Sequence, residues 1–246
     1  MVVSMNLREL RQLSAKHELS LNFIAKDLML SNALYQLQNV PNLILKGGTA
    51  INRIHLKKIG KMRFSEDIDF DFNSYKKPKQ AIEEINKIVK NIKDFNIAKP
   101  RIMHSTIRYD LYYINPLDCQ DKIRLEFNVR KITEKHYKQV VNFGFVPYDS
   151  ALLDVYEKEA LIKHKLDCLI HRKEGKDIYD LYNLLNPDSK VNKAYTKEII
   201  EALNLNEKEI KSIANTANHY IPKNLRPDWS LLITKLKDYF KGLASL

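Results

Sequence analysis

The chain has 246 residues, of which 44 % are hydrophobic and 29 % charged, enough for one large domain or two small ones. No apolar run approaches the roughly 18–20 residues of a membrane span, the start lacks a secretory pattern, and there are only two cysteines. We therefore expect a cytoplasmic protein without a membrane anchor, a disulfide framework or a zinc site. The net charge of +11 favours a polyanionic partner, chiefly nucleic acid, although a lysine-rich surface alone would give the same value.

The first 60 residues predict helices around one short strand. Leucines recur at three- and four-residue steps over 5–40, which indicates helix, and Ser20 is a plausible N-cap for a second one. A buried strand at 43–45 then leads into Gly47 and Gly48, with a helix predicted from Thr49 to Lys58. A glycine pair lets the backbone approach a ligand closely, and a helix start favours phosphate. The alternative is a simple tight turn.

An acidic strand is predicted over 64–72. Strand geometry places Asp67, Asp69 and Asp71 on one face and apolar side chains on the other. Adjacent carboxylates repel one another unless a cation lies between them, and Mg²⁺ prefers such oxygen ligands. Asp67 and Asp69 are therefore the predicted metal pair, and Asp71, farther along, is expected to be solvated. A solvent-facing edge strand is the alternative.

Arg63 and Ser65 share the polar face of this strand. Arg63 could contact a phosphate or balance Glu66 and the aspartates.

Further strands are predicted at 107–114 and 122–129, after a turn at 76–79 and a helix over 79–93. Glu126 lies on the polar face of the second strand. If that strand neighbours 64–72, Glu126 becomes a third carboxylate, either a metal ligand or the base that deprotonates an attacking hydroxyl. The alternative is a surface glutamate paired with Arg124 or Lys122.

After about residue 150 the strand patterns stop and helices follow. They are predicted at 155–171, 177–186, 194–204, 206–218 and 229–242. We predict an α+β fold with a first domain over 1–145 and a helical second domain over 146–246.

Lys165 has an unusual position in the first of these helices. At 100° per residue it falls within the apolar arc, which consists of Leu161, Ile162, Leu166, Leu169 and Ile170. A lysine there either extends its ammonium to the surface or meets a negative partner, for which a triphosphate is a sensible candidate. Asp177 starts the next helix and could be only an N-cap or first-turn acid, with Asp180 on the same face.

In order, these motifs are KGGTA, RFSEDIDF, a glutamate-bearing strand and KHKLDCLIHR with KDIYDLYNLL. Together they resemble the AbiEii/AbiGii-type nucleotidyltransferase toxins, members of the polymerase-β-like nucleotidyltransferase superfamily. The resemblance spans about residues 43–185. It implies a nucleotidyltransferase domain with a mixed sheet flanked by helices, followed by a helical domain that completes the active site.

The resemblance also implies roles for individual residues. Asp67, Asp69 and Glu126 would bind Mg²⁺, with Mn²⁺ as a substitute, and would act in catalysis with Lys165 and Asp177. The residues implied to bind the NTP are Lys46, Gly47, Gly48, Thr49, Arg63, Ser65 and Lys165. One departure is that seventeen residues separate Thr49 from Asp67. The segment 55–62 thus looks expanded, and the nucleotide preference cannot be carried over.

The implied reaction transfers NMP from an NTP to an RNA acceptor and releases pyrophosphate. Relatives of this type modify RNA, notably tRNA 3′ ends, block translation and are restrained by an antitoxin encoded nearby. Two alternatives stay open: transfer to a small molecule or protein, and a catalytically inactive basic RNA-binding protein.

Overall fold

The structure is a computed structural model that describes residues 5–187 and 189–245. The α-helices are α1 (Leu7–His17), α2 (Leu21–Gln36), α3 (Gly47–Ala50), α4 (Pro78–Lys90), α5 (Lys158–Arg172), α6 (Gly175–Leu184), α7 (Thr196–Ala202), α8 (Glu207–Ala217) and α9 (Trp229–Ser245). The β-strands are β1 (Leu43–Lys46), β2 (Asp67–Asn73), β3 (Asn96–Ile97), β4 (Arg101–Met103), β5 (Thr106–Ile114), β6 (Gln120–Arg130), β7 (His136–Val141) and β8 (Ala151–Tyr156).

One mixed sheet organises the described part of the chain. Its strand order is β3-β5-β6-β2-β1-β8-β7, and β4 pairs with β5 outside this path. At the centre, β2 is parallel to β6 and antiparallel to β1, and β1 is parallel to β8. The acidic strand therefore lies inside the sheet between two neighbours, which rules out the alternative of a solvent-facing edge strand.

The apolar face of β2 builds the core, as its alternation predicts. Phe70 lies over Phe127 of β6 with ring centroids 6.0 Å apart, and Tyr109 of β5 meets Phe127 edge to face. The Tyr109 hydroxyl donates to Asn86 of α4 at 2.7 Å, so α4 covers this face. Full burial of each large apolar side chain contributes roughly 1.5–3 kcal/mol. This packing fixes β2 so that its odd-numbered residues point away from the core.

The N-terminal helices follow the sequence prediction, whereas the segment after the glycines does not. Ser20 accepts a hydrogen bond from Phe23 N at 3.3 Å, which confirms it as an N-cap. The predicted helix from Thr49 to Lys58 is α-helical only as far as Ala50. It continues as a π-helix over Ile51–Leu56 and a 3-10 turn over Lys57–Ile59. The expanded segment 55–62 thus includes irregular helix, and Gly60 ends it in the left-handed region.

The expectation that strands stop at about residue 150 was wrong. β8 spans Ala151–Tyr156 and α5 begins only at Lys158. Alternate residues of β8 are buried, beginning with Ala151 and Leu153, while Leu152 is partly exposed. The two-residue period of this short strand is less distinct than the helical pattern that follows it. β7 and β8 lie on either side of residue 145 and pair with each other, and the division into two domains stays a prediction.

Downstream of the sheet the chain is helical, as predicted. Helix α6 contacts α5, α8 and α9, and α7 contacts α5 and α9. No described helix combines the length and apolar character needed to cross a membrane.

Candidate active site

Two glycines bring the start of α3 against the acidic strand. Gly47 has φ +68°, and a Cβ atom on it would overlap the Asp69 carboxylate. A Cβ atom on Gly48 would lie 2.8 Å from Ser65 Oγ and 3.0 Å from Arg63 Nη2. Only residues without a side chain permit this approach. The glycine pair is therefore more than a tight turn, because its backbone forms one wall of the carboxylate site.

Thr49 also holds the start of α3 against β2. Its hydroxyl is buried and donates to the backbone carbonyl of Asp67 at 2.5 Å. The Thr49 side chain thus positions the first residue of β2, which is a different role from the nucleotide contact that the resemblance implies.

The carboxylates of β2 and β6 lie side by side. In the parallel register Asp69 is opposite Glu126, and Asp67 is opposite Arg124. Because the two strands are neighbours, Glu126 lies beside Asp69 as a third carboxylate. Arg124 Nη1 lies 3.6 Å from Asp67 Oδ2, and Arg108 Nε lies 3.7 Å from Glu126 Oε1. Glu126 is thus paired with Arg108 of β5, whereas Arg124 pairs with Asp67.

Burial and mutual repulsion make the ionised forms of Asp67 and Asp69 less favourable. Burial raises the pKa of Asp69 to about 6, and the charges of Asp67 and Glu126 add to the increase. Burial also raises the pKa of Asp67, with Arg124 opposing the change. The three carboxylates therefore lie close enough to interact electrostatically without a cation between them.

These residues fit a divalent metal that the substrate helps to hold. Among residues 5–187 and 189–245, no group of three or more His, Cys, Asp or Glu side chains is arranged so that it could hold a metal ion by itself. Mg²⁺ typically takes one or two protein carboxylates and completes its shell with water and substrate phosphates. Asp67 and Asp69 match that pattern, Glu126 lies beside them, and a cation would relieve the repulsion among the three carboxylates.

Asp71 departs from expectation because it is fully buried rather than solvated. It pairs with Lys46, accepts from Arg130 Nε at 2.6 Å and accepts from the Tyr156 hydroxyl at 2.6 Å. Burial alone would raise the pKa of Asp71, but Lys46, Tyr156 and Arg130 hold it below its usual value. Asp71 and Lys46 thus tie β2 to β1, β6 and β8, and the Lys46 ammonium is engaged by a protein carboxylate.

Arg63 joins the sheet to the C-terminal helices. Its Nε and Nη2 donate to the two oxygens of Asp180 on α6 at 2.8 and 2.5 Å, and both residues are buried. Arg63 therefore balances the charge of Asp180, which is distant in the sequence, instead of that of Glu66.

Lys165 extends the same buried cluster. Its ammonium lies 2.6 Å from Asp177 Oδ1 and 2.9 Å from Asp180 Oδ2, and the residue is 5 % exposed. Burial lowers the pKa of Lys165, but Asp180 and Asp177 reverse this and raise it above its usual value. The unusual wheel position is explained by these two negative partners. The charge of Lys165 also lowers the pKa of Asp69, which places it within electrostatic range of the carboxylate site.

Asp177 is more than a helix-capping acid. It is fully buried in the first turn of α6, and Arg172 Nε donates to it at 2.8 Å. Burial would raise the pKa of Asp177, but Lys165 and Arg172 lower it to about 2. We call Arg63, Asp180, Lys165 and Asp177, which are all buried, the buried ion network; the half-exposed Arg172 contacts it from the surface.

Two residues at the site were missed by the sequence interpretation. The Tyr220 hydroxyl donates to Glu66 at 2.5 Å, and Phe64 N donates to the Tyr220 carbonyl at 2.8 Å. Lys176 Nζ lies 4.6 Å from the centroid of the Tyr220 ring, and its charge lowers the pKa of Asp67. Lys176 could have been noticed because it precedes Asp177 in a quoted motif. No sequence signal marks Tyr220.

A comparison with protein families identifies the family of the chain. A family profile described as the nucleotidyl transferase AbiEii toxin of type IV toxin–antitoxin systems matches residues 29–241. The chain belongs to the AbiEii family. This AbiEii protein is a nucleotidyltransferase toxin, and its family implies an NTP substrate and a cognate antitoxin.

Solved structures support the fold of this AbiEii protein. A crystal structure described as a nucleotidyltransferase from H. pylori matches with a TM-score of 0.61 and 17 % identity, covering 92 % of this chain and 96 % of the other. MenT4, a nucleotidyltransferase toxin from Mycobacterium tuberculosis H37Rv, matches with a TM-score of 0.62 and 15 % identity, covering 97 % and 90 %. No curated protein matches the sequence. The predicted family and the predicted fold, including the helical C-terminal region, are confirmed.

Proposed function

We propose that this AbiEii protein transfers NMP from an NTP to the 3′ end of a tRNA and releases pyrophosphate. The observation that carries the proposal is the register of β2 and β6, in which Asp69 lies opposite Glu126. Asp67 is on the same face, and the backbone of Gly47 closes the site on one side. Such an arrangement can bind a polyphosphate next to an acceptor hydroxyl.

In this proposal Asp67, Asp69 and Glu126 hold the divalent metal, Mg²⁺ or Mn²⁺. When bound, the metal neutralises charge on the phosphate oxygens and orients them. Glu126, 29 % exposed and held by Arg108 at 3.7 Å, is also placed to accept the proton of the attacking hydroxyl.

The nucleotide side of the site is formed by α3 and the C-terminal helices. The backbone of Gly47 and Gly48 and the Ser65 hydroxyl would contact the triphosphate, while Lys165, already held by Asp177 and Asp180, would act on it through its charge. Lys46 already binds Asp71, Thr49 binds the Asp67 carbonyl, and Arg63 binds Asp180. In this proposal these three residues therefore position the acidic residues. Asp177 would keep Lys165 charged and oriented.

An RNA acceptor is supported by the net charge of +11, because phosphate backbones dominate the affinity of nucleic acids for proteins. Blocking the 3′ end of tRNA would stop its aminoacylation and hence translation, which fits a toxin.

The test is incubation of the protein with each α-labelled NTP, Mg²⁺ and total tRNA. We expect label in tRNA, and loss of at least about a hundredfold in the double variant Asp67→Asn/Asp69→Asn, since metal-bound charge stabilisation contributes several kcal/mol. The matched control is Asp149→Asn/Asp238→Asn, which changes two exposed aspartates and should label at the wild-type rate. Label that survives the first variant, or that appears only in a small-molecule or protein fraction, would contradict the proposal.

A further inference from the structure

A groove lies beyond the carboxyl ends of β2 and β6. The carboxylate site is at the other end of β2, which begins at Asp67. The volume of the groove is about 1010 Å³, and the groove is lined by the turn between β2 and α4, the turn between β4 and β5 and the end of β6. With a rise of about 3.3 Å per residue, Asn73 at the end of β2 is about 13 Å from Asp69. We call this feature the β2–α4 groove, and it is distinct from the carboxylate site.

Lysines are concentrated in the β2–α4 groove. Lys76 pairs with Glu84, but in the part of the chain that is described, Lys77, Lys79 and Lys131 form no ion pair with a carboxylate. Helix α4 also begins in this groove, and its first turn contains no acidic residue. Acidic side chains normally stabilise a helix start, so lysines there are locally unfavourable. The partial positive charge of the helix start therefore adds to the charge of the lysines.

An exposed aromatic ring lies among these lysines. Tyr75 is 83 % exposed, and Lys131 Nζ lies 5.2 Å from the centroid of its ring. Ile102, which is 41 % exposed, lines the same groove. A ring flanked by a cation is suited to stacking a nucleobase while the ammonium contacts the adjacent phosphate.

We propose that the β2–α4 groove binds single-stranded RNA, with Tyr75 stacking on a base and Lys77, Lys79 and Lys131 contacting phosphates. The identity of this RNA as the acceptor rests on the proposed function, but the binding itself does not. An acidic protein segment would satisfy the lysines, yet it would leave the ring of Tyr75 without a role. The groove therefore favours RNA.

The test measures binding of a labelled single-stranded RNA of about 12 nucleotides to the full chain by fluorescence anisotropy over a range of KCl concentrations. The triple variant Lys77→Ala/Lys79→Ala/Lys131→Ala should weaken binding about tenfold, and the slope of log K against log salt should fall in magnitude by about 2, at roughly 0.7 per phosphate contact. Tyr75→Ala should weaken binding roughly fivefold or more, and Tyr75→Phe should retain it.

Matched controls separate the groove from overall charge. Lys193→Ala/Lys197→Ala/Lys235→Ala removes the same charge from exposed positions elsewhere, and Tyr137→Ala removes another exposed ring, 48 % exposed on β7. Both should bind RNA as the wild type does. Absence of RNA binding by the wild type would overturn the proposal, as would equal losses in the groove and control variants or wild-type binding by the groove variants.

The outcome is distinguishable from a failure of the proposed function. If the groove variants lose RNA binding but no NTP labels any RNA, the groove stands and the transfer reaction does not. If the groove variants bind single-stranded RNA as the wild type does and label tRNA normally with unchanged KM for tRNA, the transfer reaction stands and the groove proposal fails.

Discussion

Gly47 and Gly60 share the left-handed backbone conformation, with φ of +68° and +67°, but their surroundings differ. A Cβ atom at Gly60 would meet nothing within 4 Å, whereas one at Gly47 would overlap the Asp69 carboxylate. Both Gly→Ala changes should therefore cost about 1–2 kcal/mol in the free energy of unfolding for the left-handed backbone. Only Gly47→Ala must also displace Asp69.

We expect Gly47→Ala to lower the rate of NTP-dependent labelling at least about tenfold, since small displacements in a catalytic site are costly. Gly60→Ala should retain the wild-type rate. Urea unfolding and labelling assays on both variants check this. Equal activities in the two variants would show that the contact between Gly47 and Asp69 does not shape the site.

The two helices α5 and α6 are held together by Lys165 and Asp177. The pKa of Asp177 is lowered from 3.8 to about 2 in the folded protein. Because the folded-state value lies below the unfolded one, the stabilisation is fully present above about pH 4 and is lost as the pH falls towards 2. The size of this effect is about 2 kcal/mol.

The free-energy difference between the wild type and Asp177→Asn should therefore shrink between about pH 6 and about pH 2.5. Lys165 keeps Asp180 as a partner in this variant, so the change does not leave the ammonium alone. Urea unfolding at both pH values measures it, with the exposed Asp238→Asn as the control whose difference from the wild type stays constant. A difference for Asp177→Asn that is equally large at both pH values would refute the assignment.

Elements with a clear hydrophobic periodicity could be predicted from the sequence, whereas features that depend on contacts between distant segments could not. The alternation in β2 predicts its two faces. The apolar neighbours of Lys165 predict that its ammonium either reaches the surface or meets a negative partner, and the fold supplies two such partners in Asp177 and Asp180. The burial of Asp71 could not be predicted, because its partners come from β1, β6 and β8. The π-helical turn over Ile51–Leu56 has no pattern distinct from an α-helix. The residues that surround Asp67 come from neighbouring strands and from Tyr220, which are distant from it in the sequence. Only the fold therefore shows them.

At the scale of the whole molecule, the buried ion network connects the sheet to the helical half. Arg63 precedes β2, while Asp180 lies on α6, and the contact between them is buried. Replacing one partner of a buried pair leaves an uncompensated charge, whereas replacing both with apolar residues is often neutral. The network therefore predicts a difference between single and double substitutions.

Arg63→Met should lower the free energy of unfolding by about 3 kcal/mol, since Asp180 retains only Lys165 as a charged partner. The double variant Arg63→Met/Asp180→Leu should recover most of this loss. The single tryptophan, Trp229, is buried in α9, so its fluorescence reports the helical half while circular dichroism reports the whole chain. The two signals should coincide during unfolding of the wild type and of the double variant. If Arg63→Met unfolds at the wild-type urea concentration, or if the double variant is as unstable as the single one, the ion network does not couple the two halves in this way.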